Sequence, residues 1–196
     1  MVRKQRKRPP MSQFDSAIPS IDEIRQLNRL FLAFLRERPT VATDRFGLAS
    51  GAANLLRDAS PQQIDRAASF PRALFRLCLP TTTSTVTGPV VPARGSGERV
   101  LQLVLLHSAR NLCRMSGYSA RLLLRFSDDD VSRLRAAEVD EIVAMSLTDD
   151  VVRAAFDDLD WIWHELLTEA RPEYRRRLLL IGFQPEFLLQ PAHSMA

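Results

Sequence analysis

Asp44-Arg45-Phe46-Gly47-Leu48-Ala49-Ser50-Gly51-Ala52-Ala53-Asn54-Leu55-Leu56-Arg57-Asp58-Ala59-Ser60-Pro61-Gln62-Gln63-Ile64 decides how the chain is read. It spells the end of one short helix, a turn, a second short helix, a tight break and the start of a third. Gly47 stands where a helix C-terminus favours a residue tolerant of positive φ. Ser50 is the expected N-cap of the helix carrying Leu55 and Leu56. Ser60-Pro61-Gln62-Gln63 opens the next helix with a capping hydroxyl, a proline at the first helical position and a glutamine at the third. Short helices joined by turns of three or four residues are the grammar of helix-turn-helix modules. Helical domains that touch no nucleic acid share it.

Upstream, Ser20-Ile21-Asp22-Glu23 forms a capping box, with Ile18 before it as a staple residue. Ile24, Leu27, Leu30, Phe31, Phe34 and Leu35 then repeat at helical spacing, and Pro39 ends that helix. Residues 40–46 form a short helix. Downstream of Phe70-Pro71 another short helix is expected to carry Leu74, Phe75 and Leu77. Residues 80–98 are rich in Thr, Pro, Gly and Ser and read as a linker between two helical parts.

The second part repeats the grammar of the first. An apolar helix over 100–115 is broken by Gly117, and a short helix covers 119–125. Ser127-Asp128-Asp129-Asp130 is a capped, acidic helix start, and helices ending near Ala137 and Met145 follow. A long helix is expected from Asp149, with Val152, Phe156, Leu159, Trp163 and Leu166 on one stripe. After Pro172, residues 173–181 read as a basic amphipathic helix. A shift of 78 residues aligns the two parts without a gap: Leu27 falls on Leu105, Leu35 on Cys113, Ala42 on Ala120, Phe46 on Leu124, Leu56-Arg57 on Leu134-Arg135 and Ile64 on Ile142. The expected fold is therefore all-α: two similar four-helix units in tandem plus a C-terminal helical extension. The boundaries are a basic arm over 1–18, units over 19–79 and 99–147, a linker over 80–98 and the extension over 148–196.

The net charge of +4 is unevenly placed. Arg3, Lys4, Arg6, Lys7 and Arg8 lie in an acid-free tail, and without those five the chain holds 22 basic against 23 acidic residues. A basic arm binds phosphate without reading sequence. It reads equally as a disordered solubilising tail, or as an extension ahead of a true start at Met11. No apolar run approaches a membrane span and no secretory signal follows the basic tail, so a cytoplasmic protein is expected. Cys78 and Cys113 make neither a disulfide framework nor a C-x-x-C motif. His107, His164 and His193 are far apart, no metal or cofactor motif is present, and His107 reads as a core or boundary residue. The Asp128–Asp130 run lacks the spacing of a calcium loop, and Asp157, Asp158 and Asp160 read as a charged helix face. Catalysis is not expected.

The pattern Leu27, Leu30, Leu32-Ala33, the turn Arg45-Phe46-Gly47-Leu48, then Leu56, Ser60-Pro61-Gln62 and Leu74/Leu77 resembles the FlhD family, the small subunit of the enterobacterial flagellar master transcriptional activator. The likeness covers about Leu27 to Leu79. The second part resembles a more diverged copy, with Arg125-Phe126 at the turn and Glu138-Val139 in place of Ser-Pro. The resemblance implies a helical regulator that works on double-stranded DNA with a second, larger subunit and without a cofactor; such pairs serve mobile elements as well as flagella. This chain is nearly twice as long, so a covalent tandem stands where the family has a homodimer, and further homo-oligomerisation stays open. Asn54, Arg57, Gln62, Gln63 and Arg66, with Arg133 and Arg135 in the second part, supply the side chains that read base edges and hold phosphates; ordinary solvated helix faces look the same. Trp161 falls off the apolar stripe of its helix and is a candidate partner interface. The alternative function is a helical adaptor or chaperone-like protein that binds only protein.

Overall fold

The computed structural model describes residues 20–80, 95–157 and 159–168. The basic arm, most of the linker, Ile18, Asp158 and the helix expected over 173–181 lie outside the described residues. Helix α1 (Ser20–Glu37) buries Ile24, Leu27, Phe31, Leu32 and Leu35. Leu30, expected on that stripe, is instead 43% exposed, and Asn28 takes an inward position at 0%. Pro39 both stops α1 and starts α2 (Pro39–Asp44), where a proline costs no hydrogen bond. Gly47 then takes φ 70° and reverses the chain, and Leu48 N–H donates back to the Ala42 carbonyl at 2.9 Å. Helix α3 (Ser50–Asp58) starts one residue earlier than its sequence suggests: Ala49 occupies the N-cap and the Ser50 hydroxyl caps nothing. Helix α4 (Pro61–Ala68) has the reciprocal capping box, with Gln63 N–H donating to Ser60 Oγ (3.2 Å) and Ser60 N–H to Gln63 Oε1 (2.7 Å).

The same order returns in α5 (Ser96–Met115), α6 (Gly117–Leu124), α7 (Asp128–Ala136) and α8 (Val139–Ser146). Helices α7 and α8 begin and end 78 residues after α3 and α4 do. Leu56 and Leu134 are both fully buried, as are Ala42 and Ala120. Arg36 Nε donates to the Arg57 carbonyl (3.5 Å), and Arg114 Nε donates to the Arg135 carbonyl (3.1 Å), again at that offset. At the turn, Arg125 takes φ 60° where Gly47 takes 70°. The strain of a side chain in the left-handed region, about 1–2 kcal/mol, is offset there. The Arg125 guanidinium lies 4.5 Å over the Phe156 ring and donates to the Ala73 carbonyl at 3.0 Å.

Two expectations are corrected where the chain leaves α4 and α8. Residues 74–77 do not form a helix, and neither do residues 149–157. Phe75–Leu77 is strand β1 and Val152–Ala154 is strand β2, paired antiparallel with Arg76 opposite Arg153. A short apolar run fits either period, and its partner here lies some seventy residues away, beyond any local signal. Asp150 (φ 59°) and Phe156 (φ 58°) turn the chain at either end of β2, which stops a helix from running through. Helical structure resumes only in α9 (Asp160–Leu167). The residues of the expected stripe are still inward: Val152, Phe156, Trp163 and Leu166 are buried, but from two separate elements. Asp157 consequently is not on a helix face; it follows β2 and pairs with Arg76 (3.4 Å) and Arg153 (3.7 Å).

This ribbon joins the two helix series. Ala154 N–H donates to the Phe46 carbonyl, Ala155 N–H to Leu74 and Ala73 N–H to Leu123. Helix α1 packs on α3, α4 and α5; α5 packs on α6, α7 and α8; α9 covers α3 and α4. One continuous apolar core runs through both series. Its aromatic centre is Phe31, with ring centroids 5.7 Å from Phe46 and from Phe75. Such pairs contribute roughly 0.5–1.5 kcal/mol beyond the area they bury. Asn28 crosses this apolar region as a polar staple. Its Nδ2 donates to the carbonyls of Arg72 (2.9 Å), Ala68 (3.3 Å) and Phe70 (3.4 Å), and its Oδ1 accepts from Leu74 N–H (2.8 Å). The architecture is predominantly helical, with nine helices and one two-stranded ribbon among the described residues. None of the described helices is long and apolar enough to cross a membrane.

Candidate interaction surfaces

Helix α9 lies against α3 because both present small or apolar residues at their junction. Trp163 and Ile162 are fully buried beneath it, with Trp163 Nε1 donating to the Ala155 carbonyl (2.9 Å). Trp161, one position earlier, turns outward and stays 44% exposed. With Gly51, Ala52 and Leu55 of α3 and Asp160 and His164 of α9, it lines an open cleft of about 450 Å³. The cleft has an apolar floor, one wide aromatic wall, and a carboxylate and an imidazole at the rim. That arrangement suits an apolar side chain from another protein with a basic or hydrogen-bonding neighbour.

The C-terminal end of α9 is held by two residues singled out for DNA. Gln63, already committed to its capping box, donates from Nε2 to the Leu167 carbonyl (2.9 Å). Arg66 donates from Nη2 to the Thr168 carbonyl. Both satisfy carbonyls that a helix terminus leaves without partners. The sequence did not signal this role, because it depends on α9 folding back across a hundred residues of chain.

Asn54, Arg57 and Gln62 are exposed, the first two on α3 and the third on α4. Arg57 is paired with its neighbour Asp58 at 3.0 Å, and the hydrogen bond from Arg57 holds the Asp58 carboxyl below its ordinary pKa. That carboxylate offsets part of the positive charge the arginine would offer a phosphate. In the second series Arg133 is half-buried, and Arg135 donates from Nε to the Cys113 carbonyl (3.0 Å) at the end of α5. The seven candidates thus occupy three helices, and Gln63, Arg66 and Arg135 make internal hydrogen bonds.

A group of arginines that sequence reasoning missed lies at the ribbon. Arg76 and Arg153 face each other across it, each about half-exposed, with Asp157 between them. The Arg153 guanidinium passes over Gly47, where a Cβ would stand 2.8 Å from Nη2. Arg45 reaches Asp149 at 4.0 Å. Three guanidiniums against two carboxylates leave one net positive charge. Only the β pairing brings these residues together, which is why no local motif announced them.

His107 lies on the outer face of α5 and is exposed, which corrects its placement as a core or boundary residue. Among the described residues no group of His, Cys, Asp and Glu could hold a metal ion. Asp128, Asp129 and Asp130 form the first turn of α7, where Asp130 Oδ2 accepts from the Ser127 backbone N–H at 3.0 Å. Cys113 is fully enclosed, and burial pushes its thiol up to about 11. Comparison with protein-family models, curated proteins and solved structures finds no match to this chain.

Proposed function

We propose that the chain is an FlhD-like subunit of a transcriptional regulator, a cytoplasmic covalent tandem of two four-helix units that reaches duplex DNA together with a partner protein. The observation that carries this reading is the 78-residue registry. Helix bounds, buried positions, the left-handed turn residue and the Arg36/Arg114 hydrogen bonds all recur at that offset. A tandem of this kind supplies in one chain what the family resemblance implies for two. Asn54, Arg57 and Gln62 remain the exposed candidates for base and phosphate contacts on the first unit. A near-neutral folded region and an arginine already paired with Asp58 argue for a weak DNA contact that needs the partner's help.

The second reading, a helical adaptor that binds only protein, is favoured by one observation: Gln63 and Arg66 hold α9 in place and so build the Trp161 cleft. Duplex-DNA titration of the full chain, alone and with whatever protein co-purifies, separates the two. The regulator reading expects affinity that falls steeply with salt. Arg57→Ala should weaken binding and reduce the log–log salt slope by about 0.9, the contribution of one phosphate contact. Absence of binding at low salt in both preparations refutes the regulator reading and leaves the adaptor.

A further inference from the structure

The two helix series differ most on one face. In the first series α1 and α4 meet along a seam closed by the Arg29–Asp65 ion pair. The positions 78 residues later are His107 on α5 and Val143 on α8, which also pack together. Around that seam Val100, Leu103 and Val104 of α5 and Val139, Val143 and Leu147 of α8 and its C-cap are between 36% and 60% exposed. Their counterparts in the first series are Asp22, Arg25, Gln26, Pro61, Asp65 and Ser69, an ordinary solvated set. Six apolar residues in register on two neighbouring helices, where the equivalent positions carry charge and hydroxyl groups, mark a face that something covers.

We propose that this α5/α8 face is the docking site of the chain's own C-terminal segment, residues 173–189. Its chemistry matches. The segment runs Arg175-Arg176-Arg177 into Leu178-Leu179-Leu180-Ile181 and then Phe183, so its apolar residues need cover and its basic residues need acid. The face offers both: beside the apolar positions stand Glu138, Asp140 and Glu141, all exposed, and α8 itself carries no Lys or Arg. The reach is sufficient. Ten residues separate Thr168, held at Arg66, from Leu178, and an extended chain of that length spans up to about 33 Å. A folded chain of this size has a radius of gyration of about 15 Å. A second copy packed face to face would set the three acids of one chain against those of the other.

The test uses the full chain with Cys78→Ser, which removes the exposed thiol and leaves the enclosed Cys113. Val143→Cys is combined in turn with Leu178→Cys, Leu180→Cys and Phe183→Cys, and Gln62→Cys on exposed α4 serves as the control anchor. The expected result is an intrachain disulfide from position 143 to at least one of the three, formed roughly tenfold faster than from position 62, because docking raises the effective concentration of the two thiols. Crosslinks only between chains overturn the proposal in favour of a second copy. No excess over the control with all three partners overturns it outright. Trypsin cleavage at 175–177 gives a second readout. Val143→Asp with Leu147→Asp, both at exposed positions, should speed that cleavage by roughly tenfold through a larger undocked population; an unchanged rate overturns the proposal.

Discussion

Replacing Asn28 by leucine tests the account of how α1 is fixed to the ribbon. Position 106, 78 residues on, carries a fully buried leucine on α5, so helix and shape both admit the substitution. What it removes is hydrogen bonding. Leu74 N–H would lose the Oδ1 acceptor at 2.8 Å, and the Arg72 carbonyl would lose its donor at 2.9 Å. The two longer contacts, to Ala68 and Phe70, contribute less. Each buried backbone group left without a partner costs about 1–3 kcal/mol. The added apolar contact returns about 1 kcal/mol. The net expectation is a loss of about 3 kcal/mol, a large share of a typical stability of about 5–15 kcal/mol. With a urea m-value of about 2 kcal/mol/M, the unfolding midpoint should fall by about 1.5 M. Hydrogen exchange at Leu74 should accelerate with it. A midpoint shift below about 0.5 M, or an unchanged Leu74 amide, would refute the view that Asn28 is the link between α1 and β1.

Three further outcomes follow from the same geometry. Gly47→Ala forces a Cβ into the left-handed region and to within 2.8 Å of the Arg153 guanidinium, so equilibrium unfolding should register a loss of about 1–3 kcal/mol. Ser60→Ala removes the hydroxyl that caps α4 and should cost about 1 kcal/mol in the same assay. Cys113 is enclosed and its thiol raised, whereas Cys78 is exposed; a thiol reagent at pH 8 should modify Cys78 in the native protein and Cys113 only in denaturant. Because the folded-state value of Cys113 lies above the unfolded one, its contribution to stability is present below about pH 9 and is lost as pH rises towards 11. Urea titrations across that range on the wild type and Cys113→Ala should show that the slope belongs to this residue.

The helical half of the fold was legible because its signals are local. Ser60-Pro61-Gln63 and Ser127-Asp130 write their own capping boxes, and Gly47 marks the one glycine with positive φ among the described residues. Arg125 shows the limit of such signals. It occupies the same left-handed turn with no glycine to advertise it, and the support comes from Phe156 and Ala73, distant in sequence. The ribbon was illegible for the same reason: Phe75–Leu77 and Val152–Ala154 are strands only because each supplies the other's partner. Of the candidate DNA residues, those with exposed ends were readable as surface. Gln63 and Arg66 were not, because their partners Leu167 and Thr168 arrive from a helix folded across the first series.

That fold-back also accounts for how the two series came to differ on their α3/α4 and α7/α8 faces. Where α9 lies, the first series presents Gly51, Ala52, Leu55, Gln63 and Arg66: small or apolar residues to admit a helix, and two donors to hold its end. The positions 78 residues later are Asp129, Asp130, Arg133, Glu141 and Ala144. A helix such as α9 laid there would bury two aspartates in place of a glycine and an alanine, and would meet a carboxylate where Gln63 donates. Burying an uncompensated charge costs several kcal/mol, more than one short helix returns. One chain can therefore carry two similar frames without a choice of docking sites for α9. The charge on α7 and α8 excludes it from the second series, and the amide and guanidinium on α4 hold it on the first. Exchanging Gln63 and Arg66 for the residues of the second series, Gln63→Glu with Arg66→Ala, should release the end of α9. Faster hydrogen exchange across Asp160–Leu167 with α1 and α5 unchanged is the expected signature. Unchanged protection of α9 would show that apolar contact alone selects its site.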